Sequence, residues 1–472
     1  MYPAAIQKLK HCLKNKVSTT QSDCYRASFD ALKISFLPQA VIHAKVPEDI
    51  AIVLNLANQF KIPVTTRGAG SSLTGSATPI HGGWVLDMSA LKKITILEKQ
   101  KLAIVQPGVI TEALKKAAEK RGLFYPPDPA SAHFCTIGGN IACNAGGLNC
   151  VKYGVTRDYI IALKGYLPTG EPVSWGLPLR KFSAGYNMRD LWIGSEGTLG
   201  VITEATLKLI PLPQSRMTYL AVFQNDHQAL VAARKFNHFN IIPCALEFLD
   251  ETSTRCVAPK YLPKKFAGSS FILIDLDGEK DAVKKDFSHI KTWLKKETPD
   301  YLIAQNSTQR NRLWKMRREC SPSMFFYGDS RLNEDIVVPL DKIPSLINFV
   351  KKLSKDYDLT IPIFGHLGDG NLHANIMFNR KTPSQVKAAQ SVLHHLMHKV
   401  IELGGAISGE HGIGLAKSTF FPLQHSAHEI NAMLKIKQAL DPNNILNPGK
   451  IFKPFSPWQY PSVPDKMPWD KI

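Results

Sequence analysis

The sequence predicts an α+β fold in two main domains, on three observations. At 472 residues the chain exceeds one ordinary domain. From residue 40 onward, β-rich runs alternate with amphipathic helical stretches. At 211–216, Pro211 and Pro213 interrupt that alternation and mark a boundary. A hydrophobic fraction of 44% and a charged fraction of 21% suit a globular protein with a large core.

Residues 1–37 read as a helical lead-in, basic at MYPAAIQKLKHCLKNK but without the apolar stretch of a secretion signal. A mitochondrial targeting peptide there would leave almost nothing before the fold begins. Residues 41–44 predict a strand. Residues 47–60 predict a helix with Ile50, Val53, Leu54 and Ala57 on one face and Pro47 in its first turn. A strand at 62–66 runs into a glycine-rich loop, and strands at 84–87, 94–97 and 102–105 follow. A helix over 111–120 is stopped by Gly122, and a β run at 199–210 closes this half. Beyond the boundary, strands are predicted at 218–223 and 270–276, with helices near 226–237, 279–296 and 428–440. Pro457, Pro461, Pro464 and Pro468 make 456–472 an irregular arm.

The formal charge of +19 is spread from Lys8 to Lys471 rather than gathered in one stripe, which argues against a nucleic-acid footprint. Attraction of anionic substrates, or loose contact with an anionic membrane surface, accounts for it better. No run of about 18 apolar residues is present to span a bilayer. The eight cysteines are scattered and form no CxxC pair, so neither an iron–sulfur cluster nor a cysteine zinc site is expected. A reducing compartment follows: a cytoplasmic protein, with peripheral contact at the inner face of a membrane as the outer limit.

Four segments crowd small residues: 67–75, 106–108, 136–147 and 194–200. A single glycine-rich loop after a strand is often no more than a tight turn, and the first is not followed by the helix of a nicotinamide-binding unit. Four backbone-accessible loops in about 130 residues exceed what turns require, and they suit a long, phosphate-bearing ligand.

A second constellation lies in Gly365-His366-Leu367-Gly368-Asp369-Gly370-Asn371-Leu372-His373 and Ser408-Gly409-Glu410-His411-Gly412. Two imidazoles and a carboxylate are a ligand set for Zn²⁺ or a similar divalent ion with one position open. Seven residues apart on one strand, His366 and His373 would sit about 23 Å apart on opposite faces, so Gly-Asp-Gly must turn the chain back if both bind one ion. An isolated histidine is more often packed or solvated than ligating. His394, His395 and His398, on a polar helical stretch, are given no role. His366, His373, Glu410 and His411 differ because they sit in glycine-rich loops, where functional groups concentrate.

PVTTRGAGSSLTG (63–75), YPPDPAS (125–131), TIGGNIACNAGG (136–147) and GSEGTLGVIT (194–203) resemble, in order and spacing, the FAD-dependent oxidoreductases of the vanillyl-alcohol oxidase/p-cresol methylhydroxylase (PCMH) fold. The branch resembled is the GlcD-type glycolate oxidase, D-lactate dehydrogenase and D-2-hydroxyglutarate dehydrogenase group, over roughly residues 38–453. The resemblance implies a PCMH-type FAD-binding domain of two α/β subdomains at 38–210. It implies an α+β substrate (cap) domain with an antiparallel sheet at 211–405, and a segment at 406–455 returning to the flavin.

It further implies that Arg67, Gly68, Ala69, Gly70, Ser71, Ser72 and Leu73, with Thr136, Gly138, Gly139, Asn140, Asn144 and Gly146, hold the pyrophosphate. Pro107, Asp128, Glu196, Gly200 and Ile202 would line the rest of the flavin, with Asn447 in the closing segment LDPNNILNPGK. Covalent members offer a His near the first loop or a Cys near the second. Here Ser71 takes the first place, and Cys143 and Cys150 lie in surroundings that match the non-covalent branch, so a dissociable FAD is expected.

In D-2-hydroxyglutarate dehydrogenases, segments like GHLGDGNLH and GEHG supply metal ligands. That implies His366, His373 and Glu410 as ligands, His411 as catalytic base and Asn375 as a substrate contact. A W-x-x-R segment implies Arg317 as the carboxylate clamp, since a guanidinium grips a carboxylate with two parallel hydrogen bonds. Ser321 stands where that branch places Thr. Asn333 stands where it uses Lys for a second carboxylate, which favours glycolate, D-lactate or another monoacid over a five-carbon diacid; Arg331 is a nearby cation able to substitute.

The expected reaction is oxidation of a D-2-hydroxy acid to the 2-oxo acid beside a divalent metal, with His411 taking the hydroxyl proton and the Cα hydride passing to flavin. Electrons would leave to a quinone, a cytochrome, an electron-transferring flavoprotein, a partner subunit or oxygen, and a homodimer stays open. Two rival expectations are a metal-independent oxidase of phenols or sugar lactones on the same fold, and a non-catalytic flavoprotein subunit.

Overall fold

Most of the short strands are near-continuous runs buried on both faces, and the helices between them bury one face at period 3.6. A computed structural model describes residues 3–179, 181–236, 239–298 and 300–463. Pro464 and Pro468 of the expected arm, and residue 237 of the expected helix, lie outside those residues. The chain forms two units: Met1–Gly146, Val155–Leu212 and Glu410–Ile472 in the first, Gly147–Gly154 and Pro213–Gly409 in the second.

In the first unit, β1 (Val17–Ser18), β2 (Ala40–His43), β3 (Val64–Arg67) and β4 (Trp84–Asp87) form a sheet ordered β1-β2-β4-β3. β2 and β3 run parallel to β4, so each needs a crossover. The helix Glu48–Phe60 supplies one, burying Ile50, Val53, Leu54 and Ala57 against Ile42, Val64, Trp84 and Leu86. Pro47 is its N-cap rather than part of its first turn. The lead-in is not a separate body: Ala5, Leu9 and Leu13 of the helix Pro3–Leu13 enter the same core.

A second, antiparallel sheet contains β5 (Ile94–Leu97) and β6 (Leu102–Val105), then, past the short β7 (Leu123–Phe124), β8 (Ile160–Tyr166), β9 (Pro172–Trp175) and β10 (Val201–Lys208). Its order is β5-β6-β10-β8-β9. β11 (Ile210–Pro211) pairs with β7, so Pro211 ends the pattern from inside a two-stranded edge, where a missing N–H is tolerated.

One segment read as a loop is not one. Ile137–Cys143 is a helix, N-capped by Thr136, whose Oγ1 accepts from the Gly139 N–H at 3.2 Å. Gly138 serves close packing, since a Cβ there would lie 2.5 Å from Pro107 Cβ.

The second unit is one antiparallel seven-stranded sheet of β12 (Ser215–Phe223), β13 (Ala245–Leu249), β14 (Ser270–Gly278), β15 (Asp300–Ile303), β16 (Ser330–Val337), β17 (Ile363–His366) and β18 (Asn371–Phe378). Its order is β15-β12-β14-β13-β17-β18-β16. Residues paired across strands share a face. Glu247 opposite His366, Phe364 opposite His373, Asp335 opposite His373 and Asn333 opposite Asn375 therefore project from one side. The same side is apolar at Leu220, Leu249, Leu273 and Met377, where Leu313, Trp314, Met316 and Cys320 pack.

Residues 147–154 were read with the first domain but belong here. Lys152 Nζ and Tyr153 OH donate to Asp277 Oδ1 at 2.7 and 2.8 Å. No helix among the described residues is long and apolar enough to cross a membrane.

Candidate active site

The expected cofactor cradle lies in the first unit. After β3 the chain runs without regular structure through 68–73, and Gly68, Ala69, Ser71, Ser72 and Leu73 are half-exposed. A Cβ on Gly68 would run into Thr136 Oγ1, so this loop and the cap of the helix Ile137–Cys143 meet with room for backbone only. Gly138 and Gly139 stay half-exposed beside them. Exposed peptide groups and small residues at a crowded junction suit the close approach of a pyrophosphate.

Several side chains expected on the cofactor also bond within the protein. Arg67 folds back under Gly70 and donates from Nη1 to the Phe29 carbonyl at 2.8 Å. Asn140 donates to Thr111 Oγ1 at 2.7 Å, and Asn144 Oδ1 accepts from the Arg157 N–H at 2.9 Å. Asp128 is ion-paired with Lys115. Gly200 is glycine because a Cβ would enter the Trp192 ring. Asn447 gives its amide hydrogens to the Ser76 and Glu196 carbonyls at 2.7 and 2.8 Å and accepts from Thr65 Oγ1 at 3.3 Å, bracing three segments of the first unit. Gly146 and Ile202 are buried and half-buried, respectively.

Glu196 likewise holds protein. Its carboxylate accepts from Ser76 Oγ and from the Ile413 N–H at 2.8 Å. Burial pushes its pKa up, against those hydrogen bonds. Gly412, at φ +83°, brings its Cα so close that a Cβ would lie 2.9 Å from Glu196 Oε1. Thr74 Oγ1 donates to the His411 carbonyl at 3.3 Å. Glu196 and Thr74 thus seat the turn that carries His411.

The metal-ligand candidates are brought together by a hairpin. β17 and β18 pair His366 with Asn371 and Phe364 with His373, and the turn closes through Gly370 at φ +82°. Both histidines fall on one face, ring centroids 5.5 Å apart. The chain leaves the second unit at Gly409, whose N–H donates to Asp335 Oδ2 at 2.9 Å. Asp335 also accepts from Ser408 Oγ at 3.1 Å and Asn371 Nδ2 at 2.7 Å. Glu410 is the next residue. One ligand atom each from His366, His373 and Glu410 lie within 4.8 Å of one another. The two-nitrogen, one-oxygen set suits a divalent ion with one position open. His411 Nε2 lies 3.7 Å from Glu410 Oε1.

Beside the histidines sits a residue the sequence reading missed. Glu247 is fully buried, and its Oε1 is 2.6 Å from His366 Nδ1 while its Oε2 accepts from Arg317 Nε at 2.6 Å. Burial pushes its carboxyl up, but the Arg317 charge and the hydrogen bonds from His366 and Arg317 hold it below its ordinary value. The available signal was an acid inside the apolar run Ala245-Leu246-Glu247-Phe248-Leu249.

Arg317 lies at the end of the helix Ser307–Arg318, its Cζ 4.9 Å from the Phe364 ring centroid. Its Nη atoms have no hydrogen-bond partner among the described residues. Asn375 donates to the His373 carbonyl at 3.1 Å, and its buried Oδ1 has no partner among the described residues. Ser321 Oγ accepts from Arg331 Nη1 at 2.7 Å, and burial pushes the Arg331 guanidinium down to about 10.

Residues 212–451 match the family described as FAD linked oxidases, C-terminal domain, and residues 38–176 match the FAD binding domain. The chain belongs to the FAD-linked oxidases. This FAD-linked oxidase is 37% identical over 432 residues to the glycolate oxidase subunit GlcD of Bacillus subtilis, covering 90% of this chain and 91% of the relative. It is 35% identical to D-lactate dehydrogenase of Anaerostipes hadrus, with 95% and 97% covered, and 30% identical to D-2-hydroxyglutarate dehydrogenase of Stutzerimonas stutzeri, with 95% and 99% covered. Among solved structures it resembles p-cresol methylhydroxylase with TM-score 0.78 at 16% identity, over 96% of this chain and 97% of that one. It also resembles the 4-ethylphenol oxidase of Gulosibacter chungangensis with TM-score 0.76 at 17% identity, over 96% and 98%. Those two likenesses give the PCMH-type fold, and the family gives an FAD-binding oxidoreductase.

Proposed function

We propose that this FAD-linked oxidase converts a small D-2-hydroxy acid to its 2-oxo acid at a divalent-metal site made by His366, His373 and Glu410. The observation that carries the reading is the approach of those three ligand atoms to within 4.8 Å, with a buried guanidinium held by the carboxylate that also meets His366. The glycolate oxidase subunit, D-lactate dehydrogenase and D-2-hydroxyglutarate dehydrogenase among its relatives support the substrate class. Bound there, a flavin supplies the two-electron acceptor and a divalent cation lowers the pKa of the substrate hydroxyl.

The chain's own groups do the rest. Arg317, with Nε fixed, offers its Nη edge to the substrate carboxylate. Asn375 offers an amide oxygen that has no protein partner among the described residues. His411 accepts the hydroxyl proton, on a turn seated by Glu196 and Thr74. The FAD is held without a covalent bond: burial, then the Glu196 charge, pushes the Cys143 thiol up, away from the thiolate that attachment would need. Asn333 favours a monoacid such as glycolate or D-lactate.

The test is anaerobic bleaching of the flavin by D- and L-2-hydroxy acids, in wild type and His366→Ala. D-acids should bleach the wild type, while His366→Ala or a chelator slows bleaching at least 100-fold. Bleaching by L-acids alone overturns the stereochemistry. Bleaching of the flavin by phenols or sugar lactones, indifferent to chelation, establishes the metal-independent oxidase instead.

A further inference from the structure

Glu247 has no assigned part in this chemistry, yet it is a fully buried carboxylate with each oxygen committed to a different element of the site. Oε1 meets His366 Nδ1 and Oε2 meets Arg317 Nε, both at 2.6 Å. Its partners come from β17 and from the helix Ser307–Arg318, whereas Glu247 itself sits centrally on β13.

A neutral imidazole has one N–H and one lone pair. With Nδ1–H given to Glu247, the lone pair is confined to Nε2, the state a metal ligand needs, and the ring plane is fixed as well. The second oxygen acts on Arg317 in the same manner. Binding Nε alone stops the guanidinium turning about its stem and leaves the two Nη groups as the open edge. The Phe364 ring under Cζ restricts the remaining freedom. One carboxylate cannot move to favour one partner without losing the other.

We infer that Glu247 is a positioning residue that makes the metal ligand His366 and the carboxylate clamp Arg317 a single unit. The inference rests on the proposed metal-dependent oxidation of a hydroxy acid. It predicts that cation affinity and substrate affinity fall together when Glu247 changes, although Glu247 touches neither ligand. Neutralising a buried arginine is the simpler alternative role, and it predicts a loss of stability alone.

The experiment uses the full-length, FAD-loaded protein stripped of metal by chelation. Wild type, Glu247→Gln, Arg317→Met and the double variant Glu247→Gln/Arg317→Met are titrated with Zn²⁺ in competition with a chromogenic chelator. KM and kcat for D-lactate and glycolate, and the thermal midpoint, are measured alongside. Glu247→Gln should weaken Zn²⁺ binding about 10- to 100-fold, the range for removing such an outer-shell partner, and raise KM at least 10-fold with a smaller change in kcat. Arg317→Met should raise KM but leave Zn²⁺ affinity within about threefold. The double variant removes both charges of the buried pair, so it keeps the experiment decisive if the single variant does not fold, and it should bind Zn²⁺ as weakly as Glu247→Gln. A folded Glu247→Gln or double variant that binds Zn²⁺ with wild-type affinity overturns the inference while leaving the proposed function standing. Failure of the wild type itself to bind Zn²⁺ overturns the proposed function, and this inference with it.

Discussion

Asn447 adopts φ +44°, a left-handed conformation that asparagine tolerates better than most residues, and donates from one amide to two carbonyls that lie 371 and 251 residues away in sequence. Side chains of this sort stabilise the first unit by satisfying buried backbone oxygens that would otherwise be left bare. Asn447→Asp keeps the shape but replaces a donor with an acceptor facing the Ser76 and Glu196 carbonyls. It should cost about 2–4 kcal/mol, read as a lower urea midpoint of the first unit with weaker retention of FAD; an unchanged midpoint would show that the brace carries nothing. Glu196 teaches a related lesson. The family resemblance implies a flavin contact for it, and its carboxylate also accepts from Ser76 and the Ile413 N–H, so that it acts on the turn of His411.

One helix of the second unit ties its cap to pH. Asp250 caps the helix Glu251–Val257, its carboxylate accepting from the Ser253 N–H at 2.7 Å. Burial, and then the neighbouring Asp226 charge, pushes Asp250 up to about 7. The folded state therefore keeps a proton that the unfolded chain releases near pH 4, and stability declines as pH rises from about 4 to about 7. Asn caps as well as Asp and carries no charge. Asp250→Asn should match wild type at pH 4 and exceed it at pH 8 by up to about 4 kcal/mol; urea denaturation showing a pH-independent difference would contradict this. Strands posed a different question from helices. The expectation that Gly-Asp-Gly reverses the chain between His366 and His373 joined the strand period of two to the premise that both bind one ion, and β17 and β18 form that hairpin. By contrast, glycine content misled at 136–147, because composition cannot separate a glycine needed for a loop from one needed for close packing in a helix.

For the molecule as a whole, the excess of basic residues matters most to an anionic substrate. A net charge of +19 draws a carboxylate towards the protein through a field that salt screens within about 8–10 Å. kcat/KM for D-lactate should therefore fall several-fold between 25 and 250 mM salt as on-rate assistance is lost, with the effect absent for an uncharged ester of the same acid; equal salt dependence of the two would remove steering from the account. The division into units also belongs to this scale. The boundary after Leu212 was visible in the prolines, but the assignment of 147–154 to the second unit was not, because Lys152 and Asp277 are 125 residues apart.

Order and spacing of short segments were enough, without any coordinates, to establish an α+β chain with an FAD-binding half, and to single out two histidines that a turn must bring together. The α+β pattern and the phosphate-binding loops are local, written in periodicity and in runs of small residues, while FAD itself came from the resemblance of those segments to a known family. Only the tertiary structure decided which carboxylates serve which partners. Glu247 is 119 residues from His366 and 70 from Arg317, and no spacing rule connects them. The antiparallel register of β13, β17 and β18 puts Glu247 and the two histidines on one face, and burial there makes an unpaired charge too costly to keep. The pairing of buried charges follows from topology, which the linear order of residues does not contain.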